Sequence, residues 1–368
     1  MTAVHRFGLS VLVLAGSLSV AVMPSPTTTL ALLSRTADGP VNTLAGATFS
    51  PTSIAAPTVA LIDSVPRLTW NGVSLTSGYP VSYSVVRTAS NGATSAACPP
   101  AAITSIPGDQ RQCDDSTVPG GETYSYTVQP VLDRGGTTTW SRPASTSSTQ
   151  VSIPRLKYGG VGAPSAFSNN SPTVVSYPTG TVQGDVLVFV GRNARNKNIT
   201  PPTGWTVLVN TSAGNPASAF LVAWRIADTA SSTTISINSS NDGAVAWIAR
   251  YTRTAGVTAS PVQATAAVVT AESATIVSSF GASTLMATSQ GYATVVTIAS
   301  TILSVVPAFQ SAAGFTSRVA TTTSASSNSF TFGLADLLVV ASGTQVASPT
   351  WASTTATNTW QVVTVAFS

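Results

Sequence analysis

The sequence contains little charge and a single histidine. Only 8% of its 368 residues are Asp, Glu, Lys or Arg, against about 25% in an average soluble domain. The histidine, His5, lies in an N-terminal segment that resembles a leader peptide. Without a second imidazole the chain lacks the usual base of Ser–His–Asp and Cys–His sites, and also lacks His-ligated zinc. We therefore predict no catalytic, cofactor-binding or metal-binding residues, and no cofactor.

Basic residues and long helical patterns are also missing. The net charge is +4, and the only lysines are Lys157 and Lys197. A phosphate-tracking surface needs a basic stripe, so we expect no nucleic-acid partner. Hydrophobic residues make up 43% of the chain, which argues against disorder. Ser, Thr, Val and Gly are abundant and suit strands and turns. The predicted fold class is all-β.

An apolar run lies near the N-terminus. His5 and Arg6 precede Leu9–Met23, a run shorter than the ~20 residues of a membrane span. We predict a signal peptide over residues 1–31, cleaved after Ala21 or near Ala31; the alternative is an uncleaved anchor. A linker is predicted over residues 32–56. The expected location is extracellular, secreted or held at the cell surface, with membrane contact only through the signal peptide before cleavage.

The two cysteines are Cys98 and Cys113. In an oxidising compartment an isolated pair within one domain is typical of a disulfide. The alternative is a pair of free buried thiols. We predict the disulfide.

Residues 57–152 alternate in hydrophobicity and are divided by turn signals at the spacing of a β-sandwich. In TYSYTV, the side chains of Tyr124, Tyr126 and Val128 share one face of a strand. The predicted strands are Arg67–Trp70, Val81–Arg87, Thr123–Val131 and Thr138–Ser141.

This block resembles bacterial fibronectin type III domains. The resemblance is carried by Trp70, by the Tyr-x-Val-x-Arg pattern from Tyr83 to Arg87, and by PGGETYSYTV. The pair Cys98 and Cys113, followed by Asp-Asp-Ser, is similar to secreted actinobacterial members. The resemblance implies a fibronectin type III-like sandwich over residues 57–152.

A second linker is predicted at residues 153–160, and one larger β-sandwich over residues 161–368. Two halves of this block echo each other in order and spacing, with Gly204-Trp205 matching Gly314-Phe315. Two similar strand sets suit a two-sheet sandwich in which neither half covers its apolar face alone, with a jelly-roll topology preferred. The stretch Glu272–Met286 is ambiguous between strand and one short helix. The predicted strands are Asp185–Val190, Ala219–Ile226, Thr233–Ile237, Ala244–Tyr251, Ala293–Ile298, Ser329–Phe332, Leu337–Val340 and Trp360–Phe367.

The second block also resembles a β-sandwich module of actinobacterial exported proteins and of phage tail or fibre proteins. The matching segments are GDVLVFV, TPPTGWTVL, VAWRIAD, AWIARY and AAGFTSR. The resemblance implies a jelly-roll-like domain with a structural or adhesive role.

One loop, Gly191–Thr200, is a candidate ligand site because it places Arg192, Arg195 and Lys197 close together. Such a loop could bind glycans or anionic cell-wall polymers through charge and amide hydrogen bonds. The alternative is a solvated strand connection. Stacking on sugar rings is a second route, with Trp224 and Trp247 expected in the core instead. The tryptophans considered for stacking are Trp205, Trp224, Trp247, Trp351 and Trp360.

The acids of the second block do not suggest a catalytic pair. Asp228 and Asp336 both end an Ala-Asp segment of the two halves, so we predict a shared structural turn. Calcium at Asn241, Asp242 and Asp228 is a further alternative, although no EF-hand loop is present. The acids considered are Asp185, Asp228, Asp242, Glu272 and Asp336.

The sequence predicts a secreted, non-enzymatic bacterial protein with a structural or adhesive role. The alternative is a carbohydrate-binding module that recognises cell-wall or environmental glycans. A glycan hydrolase or lyase is least favoured, since it needs two facing carboxyl groups. The oligomeric state is not predicted.

Overall fold

The structure is a computed structural model of the chain. It describes residues 49–50, 53–75, 80–133, 139–168, 173–194, 199–214, 217–229, 232–237, 243–254, 264–269, 277–281, 286–287, 291–303, 309–310, 314–325, 328–341, 345–346, 350–357 and 360–367. The predicted signal peptide and most of the first linker lie outside these ranges. Within them the protein is all-β, as predicted, with a short 3₁₀ turn at Pro100–Ala102 and no α-helix. No helix in this part of the chain is long and apolar enough to span a bilayer.

The first module, here called the N-terminal sandwich, ends at Ile153 and has two antiparallel sheets. One sheet has the strand order β2-β3-β8-β7, and the other has the order β10-β9-β5-β6, with β11 also paired to β9. Two further short strands, β1 and β4, pair with each other. The strands are β1 (Phe49–Ser50), β2 (Thr58–Ile62), β3 (Val65–Asn71), β4 (Ser74–Leu75), β5 (Ser82–Ala89), β6 (Thr94–Ala96), β7 (Thr104–Ile106), β8 (Gln110–Asp114), β9 (Glu122–Asp133), β10 (Thr139–Ser141) and β11 (Val151–Ile153).

Alternating side chains form the core of this sandwich. Tyr124, Tyr126 and Val128 are all buried on one face of β9, as the sequence predicts. Trp70 of β3 packs edge-on against Tyr83 of β5, with ring centroids 5.6 Å apart, and so joins the two sheets. The predicted disulfide between Cys98 and Cys113 is formed, with both residues buried in the same core.

One ion pair is buried in the N-terminal sandwich. Arg87 donates from Nη1 to both carboxylate oxygens of Asp115, at 2.9 and 3.0 Å. The Tyr126 hydroxyl donates to the same carboxylate at 3.2 Å, and the Thr117 hydroxyl donates to it at 3.1 Å. The carboxylate is therefore satisfied where burial would otherwise make its charge costly. Neighbouring Asp114 instead faces solvent and pairs with Arg67.

The remainder of the chain forms two similar units, here called the first repeat (β12–β20) and the second repeat (β21–β30). The strands of the first repeat are β12 (Leu156–Val161), β13 (Ser165–Ser168), β14 (Thr173–Ser176), β15 (Val186–Asn193), β16 (Ile199–Thr200), β17 (Thr206–Gly214), β18 (Ala217–Ile226), β19 (Ser232–Ile237) and β20 (Gly243–Arg253). Those of the second are β21 (Ala264–Val269), β22 (Val277–Gly281), β23 (Met286–Ala287), β24 (Ala293–Leu303), β25 (Phe309–Gln310), β26 (Thr316–Ala325), β27 (Asn328–Val339), β28 (Gln345–Val346), β29 (Thr350–Thr357) and β30 (Trp360–Phe367).

The main sheets of the two repeats have the same strand order. In the described residues the first repeat adds β13, paired with β20, and the second adds a two-stranded sheet of β23 and β28. The large sheet has the order β12-β20-β15-β18-β17 in the first repeat and β21-β30-β24-β27-β26 in the second. The small sheet has the order β14-β19-β16 in the first and β22-β29-β25 in the second. The repeat seen in the sequence is therefore real, and Gly204 and Gly314 take equivalent positions with φ of +80° and +91°.

The sheets stack in four layers. The large sheets pack face to face, so that Val188 and Trp247 share one core with Ile298 and Phe332. On its other face, each large sheet covers its own small sheet. This corrects the prediction of a single larger sandwich in which each half supplies one sheet. Every residue of β15 is buried because both of its faces are covered, so hydrophobic alternation could not reveal the second core.

The structure also revises three shorter predictions. The predicted linker 153–160 contains the end of β11 and most of β12, and β12 pairs with β20 from Leu156 onward. Within Glu272–Met286, the described residues belong to strands β22 and β23 and not to a helix. The predicted strands Ser329–Phe332 and Leu337–Val340 fuse into the long strand β27.

Gly243 of the first repeat lies against Ala325 of the second repeat. A Cβ atom added there would lie 2.2 Å from the carbonyl oxygen of Ala325 in β26. This is a backbone atom and cannot rotate away. We expect Gly243→Ala to lower the free energy of unfolding of the repeats by about 1–3 kcal/mol, the usual cost of overpacking. Urea titration followed by tryptophan fluorescence measures it.

The control is Gly92→Ala in the N-terminal sandwich, where an added Cβ meets no atom within 4 Å and the cost comes only from φ of +86°. That cost is about 1 kcal/mol. An effect of Gly243→Ala no larger than that of the control would show that the repeats do not meet here.

The disulfide gives a second prediction. It closes a separation of 15 residues, so the double variant Cys98→Ala/Cys113→Ala should lose about 3 kcal/mol of unfolding free energy in the N-terminal sandwich. Calorimetry of the full chain, with and without reductant, would detect this as a lower midpoint for that sandwich. Reductant should have no effect on the variant. An unchanged midpoint would mean that the crosslink contributes little.

Candidate binding site between the modules

A cavity of about 580 Å³ lies where all three modules meet; we call it the junction cavity. The N-terminal sandwich contributes the turn between β2 and β3, and the first repeat contributes the start of β12. The second repeat contributes the beginnings of β24 and β26 and the end of β27. The lining residues are Leu61, Ile62, Asp63, Ser64, Pro154, Leu156, Lys157, Tyr158, Thr294, Gly314, Thr316, Arg318, Asp336, Leu337 and Leu338.

A β-bulge directs Arg318 toward this cavity. In the pairing of β26 with β27 the register shifts between Ser317 and Val319, which makes Arg318 the extra residue. Bulges change the direction of a side chain and are common near binding sites. Arg318 Nε donates to both carboxylate oxygens of Asp336, at 3.0 Å each, and its guanidinium lies 5.4 Å from the ring centre of Tyr158. The position of the guanidinium is thus fixed by the ion pair with Asp336 at one edge and by the Tyr158 ring at one face.

Asp336 is nearly buried, and two effects act on the pKa of its carboxyl in opposite directions. Burial raises the pKa of its carboxyl above the usual value, while the ion pair with Arg318 acts in the opposite direction. The buried Tyr251 hydroxyl lies beside the same carboxylate, and burial and the charge of Asp336 both raise the pKa of Tyr251. A perturbed carboxyl next to a cavity is a common feature of functional sites.

The other repeat contains apolar residues at the same positions. Thr206 pairs with Trp224 as Thr316 pairs with Asp336, and each pair is followed by a bulge. The bulge residue of the first repeat is Leu208, the counterpart of Arg318. Both Leu208 and Trp224 pack against the shared core. An ion pair in one copy therefore replaces an apolar pair in the other.

The neighbouring strands also have polar side chains at one end and apolar side chains at the equivalent positions of the other. Tyr251 lies opposite Val186, and Phe367 lies opposite Thr294 at the equivalent place. Tyr158 pairs with Tyr251, whereas Ala264 pairs with Phe367. We call Tyr158, Tyr251, Arg318 and Asp336 the polar quartet; its apolar counterparts are Ala264, Phe367, Leu208 and Trp224. The fold is therefore built without these polar groups at one of its two ends.

This register corrects the predicted equivalence of Asp228 and Asp336. The counterpart of Asp336 is Trp224, since both pair with the threonine before the bulge. Asp228 instead follows β18 and forms an ion pair with Arg225, whereas Asp336 lies inside β27. The two acids do not share a turn. Aligning GFTSR with GWTVL places Arg318 opposite Leu208, so the sequence did contain a signal for the polar quartet.

The candidate ligand loop is only partly described. Arg192 is fully buried in β15 and donates a hydrogen bond to Gln361 of β30 across the two large sheets. It therefore does not belong to an exposed loop, which corrects the prediction for this residue. In the sequence Arg192 follows the apolar run Val186–Val190 and precedes Arg195 and Lys197, so the sequence pattern predicts a basic loop at this place. Arg195 and Lys197 lie outside the described residues, and their assignment stays a prediction.

The tryptophans considered for sugar stacking do not form an exposed platform. Trp205, Trp247, Trp351 and Trp360 are buried. Trp224 is half-buried and packs edge-on against Phe367, with centroids 6.1 Å apart. The core prediction for Trp247 is confirmed.

The described acids of the repeats are each placed near an arginine. The carboxylate of Asp185 accepts a hydrogen bond from the Val182 backbone and lies 3.9 Å from Arg250, while Asp228 and Asp336 pair with Arg225 and Arg318. Asp242 and Glu272 lie outside the described residues, as does Asn241. In the part of the chain that is described, no group of three His, Cys, Asp or Glu side chains is placed to hold a metal.

The exchange between repeats predicts how the ion pair affects stability. Arg318→Leu alone leaves the nearly buried Asp336 carboxylate without its cation, and should cost about 1–3 kcal/mol of unfolding free energy. The double variant Arg318→Leu/Asp336→Leu imitates the apolar end and should lie within about 1 kcal/mol of the original protein. Thermal and urea unfolding of both variants measure the difference.

The control is Arg67→Leu, which breaks the exposed pair with Asp114 and should hardly change stability. A double variant as unstable as the single one would contradict the view that the pair is dispensable for folding.

No protein-family model matches the sequence, and no curated protein matches it.

Proposed function

We propose that this chain is a secreted bacterial protein with a structural or adhesive role outside the cell, and that it acts by binding and not by catalysis. The observation that carries the proposal is the direct packing of three β-sandwiches with little connecting chain. Ile153 ends the first module, and Leu156 begins the second.

Hydrogen bonds near the module boundaries support a rigid arrangement. The Thr254 hydroxyl of the first repeat donates to the carbonyl of Pro154, in the connection from the N-terminal sandwich, at 2.7 Å, and the Thr294 hydroxyl of the second repeat donates to the Leu156 carbonyl of the first at 3.0 Å. The hydroxyls of Thr123 and Tyr292 lie 3.0 Å apart and link the N-terminal sandwich to the second repeat. Such bonds oppose independent motion of the modules, as a spacer or adhesin requires.

Export is supported by the apolar run Leu9–Met23 and by the disulfide, since disulfides persist in oxidising compartments. At the finer level we propose a fibronectin type III-like fold for the N-terminal sandwich, on the basis of Trp70 and PGGETYSYTV. For each repeat we propose a jelly-roll-like fold, because the chain crosses several times between the two sheets: the small-sheet strands β14, β16 and β19, and β22, β25 and β29, are separated in sequence by strands of the large sheet.

Glycan recognition is the second candidate function. The buried tryptophans give no support to a flat stacking surface. The junction cavity favours it instead, since charged groups, hydroxyls and apolar side chains line one space of ligand size.

The proposal predicts export and retention by the cell envelope. Expressed in a bacterium, the full chain should reach the medium or wall fraction, shortened by its leader; a variant without Leu9–Met23 should stay inside the cell. Fractionation and mass spectrometry measure this. Purified protein should also sediment with insoluble cell walls without releasing soluble sugars.

The matched control for sedimentation is heat-unfolded protein. Release of reducing sugars that disappears in Asp228→Asn or Asp336→Asn would overturn the non-catalytic role. Cytoplasmic retention of the full chain would overturn the export.

A further inference from the structure

We propose that the junction cavity binds a hydroxylated organic carboxylate, the chemistry of an acidic sugar residue, with Arg318 and Lys157 holding the carboxylate. The inference deepens the adhesive role and rests on it, because it names the chemical group on an envelope or glycan surface to which the protein would attach.

The geometry of Arg318 suits a carboxylate ligand. Its Nε serves both oxygens of Asp336, which leaves the edge formed by the two Nη groups for another acceptor. A guanidinium edge binds a carboxylate through two parallel hydrogen bonds. The contact with Tyr158 fixes the plane of the group before a ligand arrives, and 28% of the Arg318 side chain is exposed. This is a preorganised donor.

The charges of the lining suit a ligand with one negative group better than a dianion. Lys157 and Arg318 are balanced by Asp63 and Asp336, so the formal charges of these four side chains sum to zero. A dianionic phosphate would meet two carboxylates as like charges, whereas a carboxylate needs only the one cationic edge that Arg318 presents.

The wall of the cavity that the N-terminal sandwich forms supplies the remaining features of a sugar site. Asp63 and Ser64 form the tip of the β2–β3 turn, both with positive φ (49° and 65°). Their side chains, together with the Thr316 hydroxyl, can bind hydroxyl groups of a ligand. Leu61 and Ile62 are 40% and 44% exposed at the same turn and offer an apolar surface to the face of a sugar ring. The volume of about 580 Å³ is within the range of small-molecule sites.

The comparison of the two repeats indicates that the fold does not require these polar side chains. At the equivalent end the first repeat has Leu208 and Trp224, which join the core. The polar quartet therefore costs desolvation that the fold does not need. Ligand binding accounts for the ion pair of Arg318 and Asp336 at positions where the first repeat has the apolar residues Leu208 and Trp224.

The test is isothermal titration of the full chain with three probes: D-glucuronate, D-glucose and propionate. We expect glucuronate to bind, and glucose and propionate to bind at least tenfold more weakly.

Arg318→Lys retains the positive charge beside Asp336 but loses the guanidinium edge that donates two parallel hydrogen bonds, and should weaken glucuronate binding about ten- to hundredfold. Lys157→Gln should weaken it several-fold without affecting the fold. The matched control is Arg67→Lys, in the exposed pair with Asp114, and should bind as the original protein does.

Binding of glucuronate that both cavity variants leave unchanged would overturn the site, as would equal binding of glucose. Propionate binding as tightly as glucuronate would overturn the assignment to a sugar. If glucuronate fails to bind while the protein still sediments with cell walls, the cavity proposal is wrong and the adhesive function stands. If cell-wall retention is also absent, both are wrong.

Discussion

The face-to-face packing of the two large sheets is the constraint on which the rest of the repeats depends. Each large sheet is buried on both faces, because one face covers the small sheet of its own repeat and the other meets the large sheet of the other repeat. Burial of that shared face removes aromatic and branched side chains from water, including Trp247 and Phe332 with ring centroids 5.9 Å apart. A separated repeat would expose this surface. We therefore regard the two repeats as one folding unit, in which the duplicated half replaces the partner that an isolated sandwich would need.

A duplicated sheet packed on its own copy creates two equivalent ends, and this protein uses them differently. At one end Trp224 meets Phe367, and at the other Asp336 lies beside Tyr251. Among the described residues, the N-terminal sandwich contacts the end that contains Asp336, through the turn at Leu61–Ser64 and the hydroxyl contact between Thr123 and Tyr292. At that end Tyr158, Arg318 and Asp336 line the junction cavity and Tyr251 lies in the shared core, whereas Leu208, Trp224 and Phe367 at the other end all pack in or against that core. The ion pair therefore occurs at the end where the N-terminal sandwich completes a cavity.

The sequence was sufficient for much of the fold and for little of the site. Alternation in the N-terminal sandwich gave its main strands, because one face of each strand is buried and the other is not. The same rule failed for β15, in which all residues are buried, so the sequence predicted one core where the four layers enclose three. Arg192 looked like part of a basic loop because its neighbours in sequence are basic, while its contact, Gln361, comes from the other repeat. Long-range partners of this kind are not encoded in local spacing. An alignment of the two repeats would have identified Arg318. Its closeness to Lys157 and Asp63 could not be predicted in this way, because it arises only where three modules meet.

The position of the junction cavity gives the N-terminal sandwich a role beyond that of a spacer. Its β2–β3 turn supplies one wall, and β12, which continues directly from it, supplies Lys157 and Tyr158. Tyr158 in turn supports the guanidinium of Arg318 from the far repeat. A ligand that touches both walls would gain affinity only when the modules are docked, and by the reciprocity of linkage it would stabilise that docking. Ligand binding and docking of the modules would then be coupled, and under the adhesive function proposed above a bound surface group would stabilise the contacts between the modules.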